Sequence, residues 1–251
     1  MANKGFFDAT LCIAAQAGDD DAAYFLSGDE YARFVWGPGG RREGGYVEGR
    51  GWTAALLPSI PHTWLSNIDA ACVFDQEELY LFQHNKYLVY SFDSDTTSAP
   101  GRICDITPFT TIDAAVTTTE VGTGQSLAYL FSEGQVYTHY PKRPDQGELA
   151  TIAETFPRLR GDFRRGIDSG VPTVDGAAAY LFHGRYFVEV DFRDLHGSAQ
   201  PYGAGGHSPL PVKTTWTGLL NPRPAAGGFL HKAVSQPTPA ALAVKPGALS
   251  G

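Results

Sequence analysis

Four times along this chain an Asp-Ala or Asp-Gly pair opens a short apolar strand, and an aromatic-rich hairpin follows it. The clearest copy runs Ile68-Asp69-Ala70-Ala71-Cys72-Val73-Phe74 and continues from Glu78 to Tyr90 around the polar turn Gln83-His84-Asn85-Lys86. The opening pairs fall at Asp8, Asp69, Asp113 and Asp175, and the hairpins share a Tyr-x-Leu/Phe pattern at Tyr24, Tyr80, Tyr129 and Tyr180. Units of roughly 45 to 60 residues, each holding several short strands, predict a β-propeller and not a helical solenoid. Four such units predict an all-β, four-bladed β-propeller with short helices between the blades.

The predicted blades start near residues 7, 68, 112 and 174, and together they make one domain over residues 1–220. From 221 to 251 Pro, Ala and Gly dominate, and that stretch reads as a C-terminal extension, partly wrapped or disordered. The 29 Gly and 17 Pro suit a chain with many turns. In a four-bladed ring the first strand of each blade runs along a narrow axis. Ala9, Ala70, Ala114 and Gly176, next to the four aspartates, are small enough for that crowding. The outer aromatics, Tyr24, Phe82, Phe131 and Phe182 among them, are expected to pack blade against blade. Inner strands of like direction point like backbone groups at the axis, so a cation with hard oxygen ligands is expected there.

Acidic residues outnumber basic ones 27 to 19, a formal net charge of −8. That balance argues against nucleic acid as the partner, because a phosphate backbone is bound by basic surface. It is better suited to a small cationic ligand. No stretch approaches the length of a membrane span, so no membrane partner is expected. Nothing at the start has the pattern of a secretory signal, which favours a cytoplasmic location. The three cysteines, Cys12, Cys72 and Cys104, lack metal-site spacing and read as free thiols.

The repeats as a set resemble the hemopexin-like family, whose four-bladed propellers carry an Asp-Ala start and a Tyr-x-Phe hairpin in each blade. The resemblance covers roughly residues 6 to 195, and in size the chain is similar to the single-domain plant seed albumins of that family. It implies that the main-chain carbonyls of Asp8, Asp69, Asp113 and Asp175 ring a structural calcium ion. A second ring at Thr10, Ala71, Ala115 and Ala177 would hold sodium or chloride. It also implies binding of a small cationic or aromatic ligand, a polyamine or a heme-like molecule. Heme itself is disfavoured, since one propeller presents only part of a site built between two, and the seven histidines are scattered. Many members join the first and last blades by a disulfide. No cysteine follows Cys104 here, so closure is expected to rest on strand pairing and packing.

A ligand-binding propeller is therefore the leading functional expectation. No Gly-x-Ser-x-Gly elbow, His-Glu-x-x-His, phosphate-binding glycine loop or Cys-x-x-Cys is present. One alternative is a hemopexin-fold biosynthetic enzyme, a pericyclase or cyclase such as a Diels-Alderase, which orients its substrate in a loop-lined pocket without an acid-base motif. A second is a protein-interaction scaffold or homodimer. The segments that the repeat does not share are the places to look: the glycine-rich insertion from Gly37 to Gly51, the arginine cluster Arg158, Arg160, Arg164 and Arg165, and the turn-rich stretch from Leu195 to Leu220. Tyr46, Trp52, Tyr202 and Trp216 in and near them are the candidate pocket residues.

Overall fold

The computed structural model describes residues 9–11, 22–36, 45–74, 77–119, 124–173, 177–192, 209–211, 216–217 and 219. The Asp8, Asp175 and Tyr202 candidates and the 221–251 extension lie outside the described residues. Among the described residues no helix is long and apolar enough to cross a membrane.

The first sheet takes β1 (Ala9–Leu11), β2 (Ala22–Ser27), β3 (Glu30–Trp36) and β4 (Gly45–Trp52). The second holds β5 (Ala70–Phe74), β6 (Glu78–Gln83), β7 (Lys86–Ser91), β8 (Thr96–Thr97) and β9 (Gly101–Arg102). The third holds β10 (Ala114–Thr119), β11 (Ser126–Ser132), β12 (Gln135–His139) and β13 (Glu148–Thr151). The fourth holds β14 (Ser169–Pro172), β15 (Ala178–His183), β16 (Tyr186–Asp191) and β17 (Leu210–Pro211). Within each sheet these strands pair antiparallel. A last strand, β18 (Trp216–Thr217), does not stay with the fourth sheet. It pairs parallel to β4 at the outer edge of the first.

Three backbone devices recur among the units: two aspartate bonds in the second to fourth, and a tie from the rim in the first to third. The aspartate before the inner strand donates its N–H to a carbonyl at the far end of the second strand: Asp69 to Phe82, Asp113 to Phe131, Asp168 to Phe182, at 2.8–2.9 Å. Its carboxylate accepts the N–H of the first turn residue of the hairpin, from His84 at 2.5 Å, Glu133 at 3.0 Å and Gly184 at 2.6 Å. All four hairpins place that turn residue at positive φ: Gly28 at 61°, His84 at 55°, Glu133 at 48° and Gly184 at 56°. A carboxylate bond offsets the steric cost that His84 and Glu133 pay there for carrying a Cβ.

The third device ties the rim of a sheet to its hairpin. Short helical turns follow the outer strands: α1 (Thr53–Leu56), the 3₁₀ turn Ile103–Asp105, and, after α2 (His62–Leu65) earlier in the chain, α3 (Ile152–Thr155). The first N–H of each is an orphan of the helix and donates to the second turn residue of its own hairpin. Thr53 bonds the Asp29 carbonyl at 2.8 Å, Ile103 that of Asn85 at 3.0 Å, and Ile152 that of Gly134 at 3.1 Å. All three donors are fully buried. For α3 a Thr151/Glu154 capping box satisfies further N–H groups.

The fourth unit therefore begins at Asp168-Ser169, and the expected start at Asp175 is corrected. Asp175 falls between β14 and β15, where Thr173 closes the connection by bonding both backbone groups of Ala178. Gly170 and Pro172 make β14 read poorly as a strand, and the Asp-Gly pair at Asp175, seven residues after Asp168, is the stronger match in sequence.

Side chains alternate along each strand, so each sheet has two apolar faces, and each face meets a neighbour. Leu26, Ile68, Ala71, Leu79 and Leu81 join the first sheet to the second. Ala70, Cys72, Phe82, Ala115 and Leu130 join the second to the third. Val116, Phe131, Ile167 and Leu181 join the third to the fourth. Phe25, Phe34, Val171, Phe182 and Leu219 join the fourth to the first. The inner strands keep the same order of neighbours, β1 beside β5, β5 beside β10, β10 beside β14, and β14 beside β1. The expected aromatic packing is present: Phe82, Phe131 and Phe182 are at most 2% exposed, and Phe25 meets Phe182 edge-on across two sheets at 5.9 Å. Each such ring contributes about 1.5–3 kcal/mol by leaving water.

The carboxylate lock makes a prediction. Asp113→Ala frees the Glu133 N–H and leaves a residue with a side chain at positive φ unsupported. A loss of roughly 1.5 kcal/mol is expected, the low end for a charge-assisted bond because the turn faces water. In thermal melts, Asp113→Ala combined with Glu133→Gly should regain part of that loss.

Candidate functional site

The calcium ion expected on the axis is corrected. Among the described residues no three His, Cys, Asp or Glu side chains come together in a group that could hold a metal ion. The Asp69 and Asp113 carboxylates, which could have supplied charge to such an ion, are each bonded to a hairpin N–H instead. The second ring, expected to hold sodium or chloride, is also displaced in the fourth unit. Thr10, Ala71 and Ala115 are the second residues of β1, β5 and β10. Ala177 precedes β15, and its carbonyl accepts the Phe192 N–H at 2.9 Å; the residue at the equivalent place is Gly170.

Tyr46, Trp52 and Trp216 lie on strands of one sheet, but Tyr46 and Trp52 do not share a face. The register sets Tyr46 opposite Val35 and Trp52 opposite Glu30, five positions apart on β3. An odd separation puts the two rings on opposite faces. Both are about half exposed. The backbone of Trp216 pairs with Gly45, and that of Thr217 with Tyr46, so β18 lies alongside the Tyr46 end of β4.

What surrounds Tyr46 is more specific than the aromatics alone. The register slips between Arg33 and Phe34, which face Gly49 and Val47, so Glu48 is an extra residue in β4. The Glu48 carboxylate pairs with the Arg33 guanidinium. Above Gly49 a side chain would meet nothing within 4 Å. Arg33 lies an even number of positions from Val35 and hence on the Tyr46 face. That face thus carries a half-exposed phenol ring, an ion pair and open space over a glycine. Sequence reading singled out Tyr46 and missed Arg33, Glu48 and Gly49. The available signal was Glu48 directly before Gly49 inside the insertion, and it is visible only once the strand pairing is known.

The arginine cluster is largely structural. Arg164 donates to the Leu159 and Pro157 carbonyls at 2.5 and 2.8 Å, holding the loop after α3, and Arg165 pairs with Asp162 at 3.2 Å.

Among the histidines, His84 and His183 stand over the lock carboxylates, with Nδ1 at 3.7 Å from Asp69 and 3.5 Å from Asp168. His139 is different: it is 4% exposed and its Nδ1 has no hydrogen-bond partner. Burial pushes its pKa below the ordinary histidine value.

No family model matches the chain, and no curated protein matches it. Solved structures do. A hemopexin-fold protein from cow pea superposes with a TM-score of 0.65 at 21% identity, over 84% of this chain and 96% of its own. A plant albumin from Cicer arietinum showing hemagglutination gives 0.66 at 23%, with the same coverage. A seed albumin from Lathyrus sativus gives 0.64 at 19%, over 85% and 96%. The four antiparallel sheets and the coverage of nearly the whole of each relative agree, and this chain has the fold and size of the hemopexin-fold plant seed albumins.

Proposed function

We propose that the chain is a non-catalytic binding module, a four-bladed propeller whose ligand site is the Tyr46 face of β4. Closure of the propeller is supported by the four shared cores and by the route of the chain after β17. It leaves the fourth sheet, adds β18 to the first, and buries Leu219 in the core between the two. Arg50 holds this return by donating to the Leu219 carbonyl at 3.1 Å.

The observation that carries the functional reading is the departure of β4 from the repeat. The other outer strands have two to four residues; β4 has eight, with a bulge that turns Glu48 out beside Arg33. Bulges recur beside binding sites, where they re-aim a side chain. The ligand class that fits is a small cation or an aromatic cation: Tyr46 offers a ring face, Glu48 a carboxylate that a cationic ligand would share with or take from Arg33, and the chain as a whole a net charge of −8.

Isothermal titration with spermine, hemin and a panel of simple sugars tests this, the sugars because one similar structure is described as a lectin and another as showing hemagglutination. Spermine or an aromatic cation is expected to bind, and Tyr46→Ala to weaken it by about 1 kcal/mol, roughly fivefold. Silence for every cation, or binding that Tyr46→Ala and Glu48→Gln leave unchanged, overturns the assignment.

A further inference from the structure

His139 ends β12 opposite Ala128, on the face of the third sheet that meets the second. Its ring meets Phe74 of β5 edge-on at 5.9 Å and lies 6.3 Å from Tyr137 on its own strand. Phe74 in turn takes Tyr80 of β6 edge-on at 5.0 Å. An imidazole enclosed by rings, with Nδ1 sealed from water and unbonded, is tolerated only when neutral. No other histidine among the described residues is buried to this degree. We propose that His139 is an acid-sensitive switch in the seam between the second and third sheets: its protonation places an uncompensated charge between them and loosens that seam.

The groups packed against the ring offer an imidazolium no buried counter-charge; the acids on the adjoining strands, Glu78 opposite Phe74 and Glu148 opposite Thr138, are exposed to water. From β5 the core presents the Cys72 thiol, from β6 the Tyr80 phenol, and from β12 the Tyr137 phenol; Ala128 on β11 and Phe74 on β5 are apolar. Burial raises both the Cys72 and the Tyr80 values, Tyr80 to about 12, so neither becomes an anion on acidification. Burial is also the one cause that lowers His139, with no carboxylate opposing it. Farther along the same segment Lys142 and Arg143 are cations, and the acids Asp145 and Glu148 are exposed to water.

The sign follows. A histidine whose folded value is depressed adds nothing to the pH dependence well above the ordinary value of about 6.5, where both states are neutral. As pH falls through that value the unfolded or opened state takes up the proton first, and stability is lost. Each pH unit below it shifts the opening equilibrium by up to about tenfold, until the folded value is reached.

Cys72 sits in the same core and reports the opening. In a Cys12→Ser, Cys104→Ser background, labelling of Cys72 by 4,4′-dithiodipyridine is measured at pH 7.5 and 5.0, normalised to a free thiol at each pH. A normalised rise at pH 5.0, of up to about tenfold for each pH unit below the ordinary histidine value, is expected for His139, and none for His139→Leu. His139→Gln serves as a second variant that keeps a polar ring-sized group without a titrating proton, should the leucine disturb packing. Thermal melts over the same range should show a steeper loss for the parent than for either variant. A Cys72 rate that does not rise, or that rises equally in the variants, overturns the switch.

Discussion

Gly170→Val is expected to be the most damaging single substitution in the inner strands. A Cβ at Gly170 would overlap the Val116 Cγ2 methyl of β10 and come within 3.2 Å of the Leu181 Cδ2. Both neighbours are completely buried, and a β-branched valine has no other rotamer to escape into. Overpacking of this kind costs about 1–3 kcal/mol for alanine and more for valine. With a melting-temperature change of about 2–4 °C per kcal/mol for a chain of this size, Gly170→Ala should be clear in a melt. Gly170→Val is expected to give little folded protein. The assignment is checked by pairing it with Val116→Ala: if the overlap is the cause, the double variant recovers most of the loss, a coupling that independent damage would not produce.

Leu219→Ala should be nearly as costly for a different reason. Leu219 is 5% exposed in the core shared by the fourth and first sheets, among Phe34, Val171 and Phe182. Truncating a buried leucine costs about 2–5 kcal/mol. Arg50→Met removes the bond to the Leu219 carbonyl while keeping an apolar stem, and a smaller loss is expected, roughly 1.5 kcal/mol. If the return of the chain is what holds these two sheets together, Leu219→Ala should raise amide exchange in β2 and β15 more than in β6 and β11. Uniform exchange across all four sheets would place the effect elsewhere.

Much of this was legible in the residues. Asp69-Ala70 and Asp113-Ala114 run directly into β5 and β10 because nothing in those short, small-residue-rich segments interrupts a strand. The fourth inner strand was misplaced because Ser169-Gly170-Val171-Pro172 has the wrong letters for a strand. Its glycine is there for the approach of Val116, and its proline stands at the last position of the strand. The roles of the aspartates were half legible. Their recurrence marked them as important, but the periodic pattern could not say whether a carbonyl or a carboxylate mattered, and it is the carboxylates that are bonded. The candidate site was least legible. Tyr46 and Trp52 are equally aromatic and equally exposed, and only the bulge at Glu48 decides that they face opposite ways.

The tie between the rim helix and its own hairpin turn, made in the first three units, has a historical consequence. Thr53, Ile103 and Ile152 find their acceptors at Asp29, Asn85 and Gly134, within the same unit and never in a neighbour. A segment that completes its own internal bonding can be copied as a block. What a fresh copy must supply is one apolar face matching the face it abuts, and residues such as Ala71, Ala115 and Gly170 show how few positions need tuning to the local neighbour. Tandem duplication of one ancestral gene segment, followed by divergence of its outermost strand, is the course that such self-contained bonding makes accessible.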